Sequence, residues 1–274
     1  MPTGSGLSGE PREQFLVLSS VRGEPFSLPA GVVMEATIVF LPIAALAGFA
    51  LGALVELTAL RLPSGQPLLA RPACPVCQAP LPRWSWLIPR RCAFCRNFPR
   101  HQLLSQTAIA VLLAAAWWRF LADPLQAFRV SLAILFLALI APVDWAHHLI
   151  YLVTVIPALL LGLLLTLLAS SAAFLAALVG SLAGALLFAL FYGLGWLLYR
   201  RPALGSGDVL LAASIGALTG WQHLLHALAL GMTAAALAAV WLLARRRASR
   251  YSYLPYGSYL AGGTILALLL WRPT

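Results

Sequence analysis

From Leu149 to Leu168 the chain reads LIYLVTVIPALLLGLLLTLL, a run without a single charge. As a helix, a stretch near 20 residues is long enough to cross the ~30 Å hydrocarbon core of a bilayer. Comparable runs lie on both sides of it, at 34–60, 103–121, 127–143, 172–198, 208–221, 224–244 and 254–271, making eight candidates. Composition agrees: the 274 residues are 61% hydrophobic and 9% charged, with mean hydropathy +0.89. The chain therefore reads as an all-α polytopic membrane protein of about eight transmembrane helices. The 208–221 run is short, so it is expected to start inside the membrane with Asp208 near its mouth. Gly48, Gly52, Gly180, Gly184 and Gly193 are placed for close helix packing.

All 18 basic residues are Arg, which excludes a lysine base or Schiff base. The net charge of +10 could suggest nucleic acid, but the arginines gather at the ends of apolar runs, where they report topology, and no nucleic-acid partner is expected. Arg61, Arg71, Arg83, Arg90, Arg91, Arg96 and Arg100 fill one loop; Arg200 and Arg201, then Arg245 through Arg247 with Arg250, mark two more. An odd first crossing puts all three on one side, which the positive-inside rule makes the cytoplasm. The expected layout is an extracytoplasmic tail over 1–33, a first transmembrane helix over 34–60, a cytoplasmic loop over 61–102 and seven further helices over 103–271. Residues 1–30 are polar, with Arg12 and Arg22, and carry no signal-peptide pattern. The expected location is a cytoplasmic membrane, crossed many times.

Only eight residues are acidic, and two of them, Asp144 and Asp208, stand at the edges of long apolar runs. A carboxylate at membrane depth costs roughly 2.5–3.5 kcal/mol at a helix centre, so it is a functional candidate by default. Asp144 follows the third run and Asp208 precedes the sixth, which puts both near the expected cytoplasmic face. Two carboxylates sharing a proton can activate water, the chemistry of an aspartyl protease. Asp208 is presented as Gly205-Ser206-Gly207-Asp208; the glycines are expected to permit unusual backbone and close substrate approach. Pro255 and Gly257 break the start of the last run.

All four cysteines share one loop, as Cys74-Pro-Val-Cys77 and Cys92-Ala-Phe-Cys95. Two CxxC pairs can close a tetrahedral structural zinc site. Redox-active or simply structural thiols are the alternatives. A metal would hold together a loop too small to bury a core of its own.

Together these motifs resemble the bacterial type IV prepilin peptidases, a family of GxGD aspartyl proteases. The similarity runs over roughly 45–265. It rests on Gly48 to Gly52 with Arg61-Leu62-Pro63, the double CxxC, Phe98-Pro99, Asp144, Gly205 to Asp208, Gly216 to Gly220, and Pro255 to Gly263, which is similar to the family's PFGPxLAxGG. The resemblance implies an intramembrane endopeptidase with Asp144 and Asp208 catalytic and Gly205, Gly207, Pro255 and Gly257 in the site motif. The loop cysteines Cys74, Cys77, Cys92 and Cys95 would hold Zn2+. It implies cleavage of a type IV prepilin or pseudopilin leader after Gly on the cytoplasmic side. Many relatives also N-methylate the new amino terminus with S-adenosylmethionine.

The chain departs from the family in places. Leu210 stands where the family has Lys, leaving Asp208 without that cation; Ile150-Tyr151-Leu152 replaces IPD; Ala53 and Glu56 replace Ser and Asn; and Gln102 replaces Glu. Two other readings compete: a catalytically inactive member acting in pilus assembly, and a proton-coupled transporter with the aspartates as a relay. No repeat relates the two halves, as a transporter of that kind would require.

Overall fold

The computed structural model describes residues 30–67, 70–74, 76–200, 205–245 and 254–272. Most of the expected tail over 1–33, and Arg201, Arg246, Arg247 and Arg250, lie outside them. Among the described residues there are seven α-helices: α1 (Ala30–Arg61), α2 (Arg100–Arg119), α3 (Pro124–His147), α4 (Leu152–Ala169), α5 (Ser171–Tyr199), α6 (Ser206–Ala244) and α7 (Tyr256–Leu270). The loop between α1 and α2 carries one 3₁₀ turn, Arg83–Trp86, and an isolated bridge between Ala73 and Pro80.

Helix ends follow local chemistry. Asp123 caps α3 by accepting the Gln126 N–H at 3.1 Å, with Pro124 at the first helical position. Ser170 caps α5 by accepting the Ala173 N–H. At the far end of α3, His148 takes a left-handed conformation (φ 53) and donates its N–H to Asp144 O at 2.8 Å, which closes the helix.

Small residues set the packing. A Cβ on Gly48 would lie 2.7 Å from Ala110 Cα, and one on Gly52 would lie 2.8 Å from Gln106 Cα, so the backbones of α1 and α2 touch along this GxxxG face. The same holds for α5 and α6, which share the largest interface: a Cβ on Gly180 would lie 2.6 Å from Gly216 O. Gly193 differs from expectation, since a Cβ there would meet nothing within 4 Å among the described residues.

The runs 208–221 and 224–244 both fall in α6, as two helices separated by a non-helical break at Gly220 (φ 72, ψ 166). The break is a reversal, as the contacts of α7 require. Leu260 of α7 packs on Gly231, yet Gly257, three residues earlier, lies against Asp144 near the start of α6. A straight helix would carry Gly231 about 34 Å from Asp208. Folding back at Gly220 brings it alongside, and Trp271 at the end of α7 then stacks on His223 just past the turn.

Among the described residues, five helices are long and apolar enough to cross a membrane by length and composition: 39–61 within α1, α3, α4, α5 and α6. The expected eight are not all reached by this measure: α6 holds two of the expected runs, one on each side of Gly220, α7 has only 15 residues, and α2 begins with the polar His101, Gln102, Ser105 and Gln106. The outer surface is apolar, with Leu46, Leu186 and Leu237 more than two-thirds exposed. Large apolar surface of this kind belongs in lipid, so the chain is a multi-pass membrane protein. The buried core runs along α2, α3, α6 and α7, through Phe120, Leu137, Ile215 and Leu260.

Candidate active site

Three helix ends meet where the long-range packing brings α3, α6 and α7 together. Asp144 lies in the last turn of α3 and is 5% exposed. A carboxylate there faces the negative end of its own helix dipole. The start of α7 answers it: Ser258 donates its N–H to Asp144 Oδ2 at 2.7 Å, and its hydroxyl lies 3.0 Å from the same oxygen. That N–H is one of the first-turn donors of α7 that have no partner within the helix. Asp144 Oδ1 accepts no hydrogen bond from any described residue.

Asp208 sits in the first turn of α6, where the dipole favours it. Its Oδ2 accepts the Gly205 N–H at 3.0 Å, and its own N–H returns to Gly205 O at 3.1 Å. Asp144 and Asp208 are close enough to act on each other electrostatically, and Tyr256 lies within the same reach of Asp208. The structure thus brings together two acids that are 64 positions apart in sequence.

The motif glycines serve clearance. Gly205 has ordinary extended backbone (φ −75), and Gly207 lies within α6, so neither needs the conformational freedom expected from sequence. A Cβ on Gly207 would lie 2.9 Å from Ile150 Cβ; one on Gly257 would lie 3.1 Å from Asp144 Cγ and from Ile150 Cδ1; one on Gly205 would lie 3.2 Å from Asp208 Oδ2. Ile150 is therefore the wedge around which the three segments close. Pro255 caps α7, and Tyr256 packs 6.4 Å from the Phe188 ring of α5. His147 and His148 are exposed at the rim.

Ile150 and Ser258 were not among the sequence candidates. A signal for Ser258 was present, since it stands where the resembled motif has proline.

The cysteine loop forms a second centre. All four Sγ atoms lie within 4.8 Å of one another, with Cys74–Cys95 and Cys77–Cys92 each at 3.5 Å. The two halves have the same geometry. Gln78 N–H bonds Cys74 O and Cys74 N–H bonds Ala79 O; Arg96 N–H bonds Cys92 O and Cys92 N–H bonds Asn97 O. Gln78 and Arg96 are both left-handed, at φ 57 and 53. The N–H groups of Cys77 and Val76 bring the Cys74 thiol down from 9.0 to about 6, and those of Cys95 and Phe94 lower Cys92 likewise. The Asn97 N–H favours the Cys95 thiolate, but lost solvent and the neighbouring sulfurs outweigh it and push that thiol up to about 12. Four sulfurs this close call for a cation, and a tetrahedral Zn–S distance of about 2.3 Å sets sulfurs about 3.8 Å apart. The four cysteines fit a metal ion. The loop is held to α2 by amides: Gln102 Nε2 donates to Ser85 O and Trp86 O, and Gln106 Nε2 donates to Trp86 O and Leu87 O.

Comparison with known proteins bears on this geometry. Residues 131–240 match the type IV leader peptidase family, a segment that contains both aspartates. Over 218 residues the chain is 29% identical to a prepilin leader peptidase/N-methyltransferase of Myxococcus xanthus (strain DK1622), covering 73% of this chain. The chain spans 63% of the length of that relative. No solved structure matches. The resemblance to the type IV prepilin peptidases, read from the motifs, is supported by both findings.

Proposed function

We propose that this chain, whose residues 131–240 carry the type IV leader peptidase signature, is an intramembrane aspartyl endopeptidase that removes the leader of a type IV prepilin or pseudopilin. The observation that carries the reading is the pairing of Asp144 with Asp208. Each has one oxygen tied to a backbone N–H and the other without a hydrogen-bond donor from the described residues. A water between the two open oxygens would meet one ionised and one protonated carboxyl. The ionised group takes a proton from the water as it attacks the scissile carbonyl, and the protonated group gives its proton to the carbonyl oxygen. As the C–N bond breaks, the first group passes the water's proton to the amide nitrogen and the second recovers a proton from a hydroxyl of the diol, which restores the pair.

The substrate fits the surroundings. A prepilin has a short basic leader followed by an apolar helix. The helix would lie against the apolar bundle, and cleavage after Gly would fall at the end that carries Asp144 and the cysteine loop. The arginine distribution makes that end cytoplasmic. Zn2+ held by Cys74, Cys77, Cys92 and Cys95 would be structural, since four thiolates leave no open position for chemistry. The proposal stops at proteolysis: Gln102, which replaces the family's Glu, donates to two loop carbonyls that a carboxylate would repel.

The test is cleavage of a prepilin by the purified, detergent-solubilised protein beside Asp144→Ala and Asp208→Ala. Cleavage after the leader glycine, abolished in each variant, is expected. Intact precursor with folded wild type would overturn the proposal, and cleavage that survives both substitutions would overturn the assignment of the pair.

A further inference from the structure

Asp144 is gripped by one residue from far along the chain. Ser258, 114 positions away, places both its N–H and its hydroxyl on Oδ2, at 2.7 and 3.0 Å. The hydroxyl has a second neighbour, Ala141 O, at 2.7 Å. It carries one proton and so serves only one of these acceptors at a time. With Asp144 ionised, the hydroxyl proton lies on Oδ2. With a proton on Oδ2, that proton points to Ser258 Oγ, and the hydroxyl turns to Ala141 O. Both states are satisfied by rotating a single O–H bond, with no movement of heavy atoms. Proline, found at this place in the motif the stretch resembles, has neither donor.

We propose that Ser258 is the positioning residue of Asp144: it fixes Oδ2 in both protonation states and leaves Oδ1 as the oxygen that meets water. This rests on the peptidase reading. Ser258 is proposed to act through Asp144, to which its contacts are made. Its backbone donor comes from the first turn of α7, where the N–H is not needed by the helix. When Oδ2 carries a proton, the hydroxyl also links Asp144 to Ala141 O of the same helix, α3; when Asp144 is ionised, both donors of Ser258 point at Oδ2. Gly257 makes this approach possible by leaving no Cβ between α7 and the carboxylate.

The experiment uses the full chain and three variants. Ser258→Ala keeps the N–H and loses the hydroxyl; Ser258→Thr keeps both; Ser258→Pro loses both, at a first-turn position where proline is tolerated. On a prepilin precursor, Ser258→Ala is expected to lower kcat about tenfold at unchanged KM, as for one hydrogen bond to a charged group. Ser258→Thr should stay within about threefold of wild type, and Ser258→Pro should fall at least as far as Ser258→Ala. A structural readout is independent of turnover. The chain has three aspartates, Asp123, Asp144 and Asp208, so infrared spectra of protein labelled with carbon-13 aspartate resolve the Asp144 band by difference from Asp144→Asn. That band should shift in Ser258→Ala and Ser258→Pro and hold in Ser258→Thr. Wild-type kcat in both Ala and Pro variants, or an unmoved band, overturns the proposal. An inactive wild type with the expected band shifts would instead count against the peptidase reading and leave the grip on Asp144 standing.

Discussion

Replacing Gly257 by alanine separates what the fold needs from what the site needs. The new Cβ would lie 3.1 Å from Asp144 Cγ, 3.1 Å from Asp144 Oδ2 and 3.1 Å from Ile150 Cδ1. Ordinary carbon contacts are about 3.5–4.0 Å, so something must move by about half an ångström. Ile150 can yield by turning its terminal methyl, but Asp144 is tied through Oδ2 to the first turn of α7, on which the new methyl stands. The methyl therefore pushes the carboxylate from the side that holds it. Alanine in a helix gains about 1 kcal/mol over glycine, while overpacking costs typically 1–3 kcal/mol. The net change in stability is thus about 0–2 kcal/mol destabilising. A displaced carboxylate is far more costly to catalysis, where 1 Å of misplacement is worth about 100-fold. Gly257→Ala should therefore melt within a few degrees of wild type by intrinsic tryptophan fluorescence, while its prepilin cleavage rate falls about 10–100-fold. Cleavage within twofold of wild type would refute the clearance argument, and a loss of folding would show that Gly257 serves the bundle as a whole.

Other substitutions test other parts of the structure. Gly220→Ala places a side chain at φ 72, ψ 166, where strain costs about 1–3 kcal/mol; thermal unfolding in detergent should drop accordingly. If Cys74, Cys77, Cys92 and Cys95 hold a metal, Cys92→Ser should lower the metal content per chain, read by mass spectrometry, and speed tryptic cutting at Arg90 and Arg91 while the bundle stays intact. Gln102→Glu puts a carboxylate against Ser85 O and Trp86 O. It leaves polar groups unpaired at about 1–3 kcal/mol, so hydrogen exchange over 85–88 should quicken, with little change in the amides of α3.

What could be read in the sequence was what is local. Each CxxC spacing closes its own turn, and the loop then sets the two turns together with four sulfurs within 4.8 Å. The glycines at 48 and 52 faced α2 because their four-residue spacing sets both on one helical face. Asp208 was legible for the same reason, since its hydrogen-bond partner, Gly205, stands three residues away. The reversal at Gly220 was visible only in outline: 208–221 and 224–244 read as separate runs, while the positive φ that divides them is a backbone fact that a glycine permits and does not announce.

Asp144 shows why the rest was not legible. By its own helix it is misplaced, a carboxylate at the negative end of α3. Its support comes from the first turn of α7, more than a hundred residues on. Ile150, read from sequence only as part of a departed motif, becomes the wedge that spaces Gly207 and Gly257. Neither role has a local pattern, because each exists only once α6 has doubled back and carried α7 alongside α3. The two aspartates therefore depend on the fold unequally. Asp208 has a geometry that the first turn of α6 provides by itself, whereas Asp144 acquires its geometry from tertiary packing. Ser258, a departure that touches Asp144, is thus in the half of the site that the neighbouring helices must build, and there a change of residue can be answered by a change of partner.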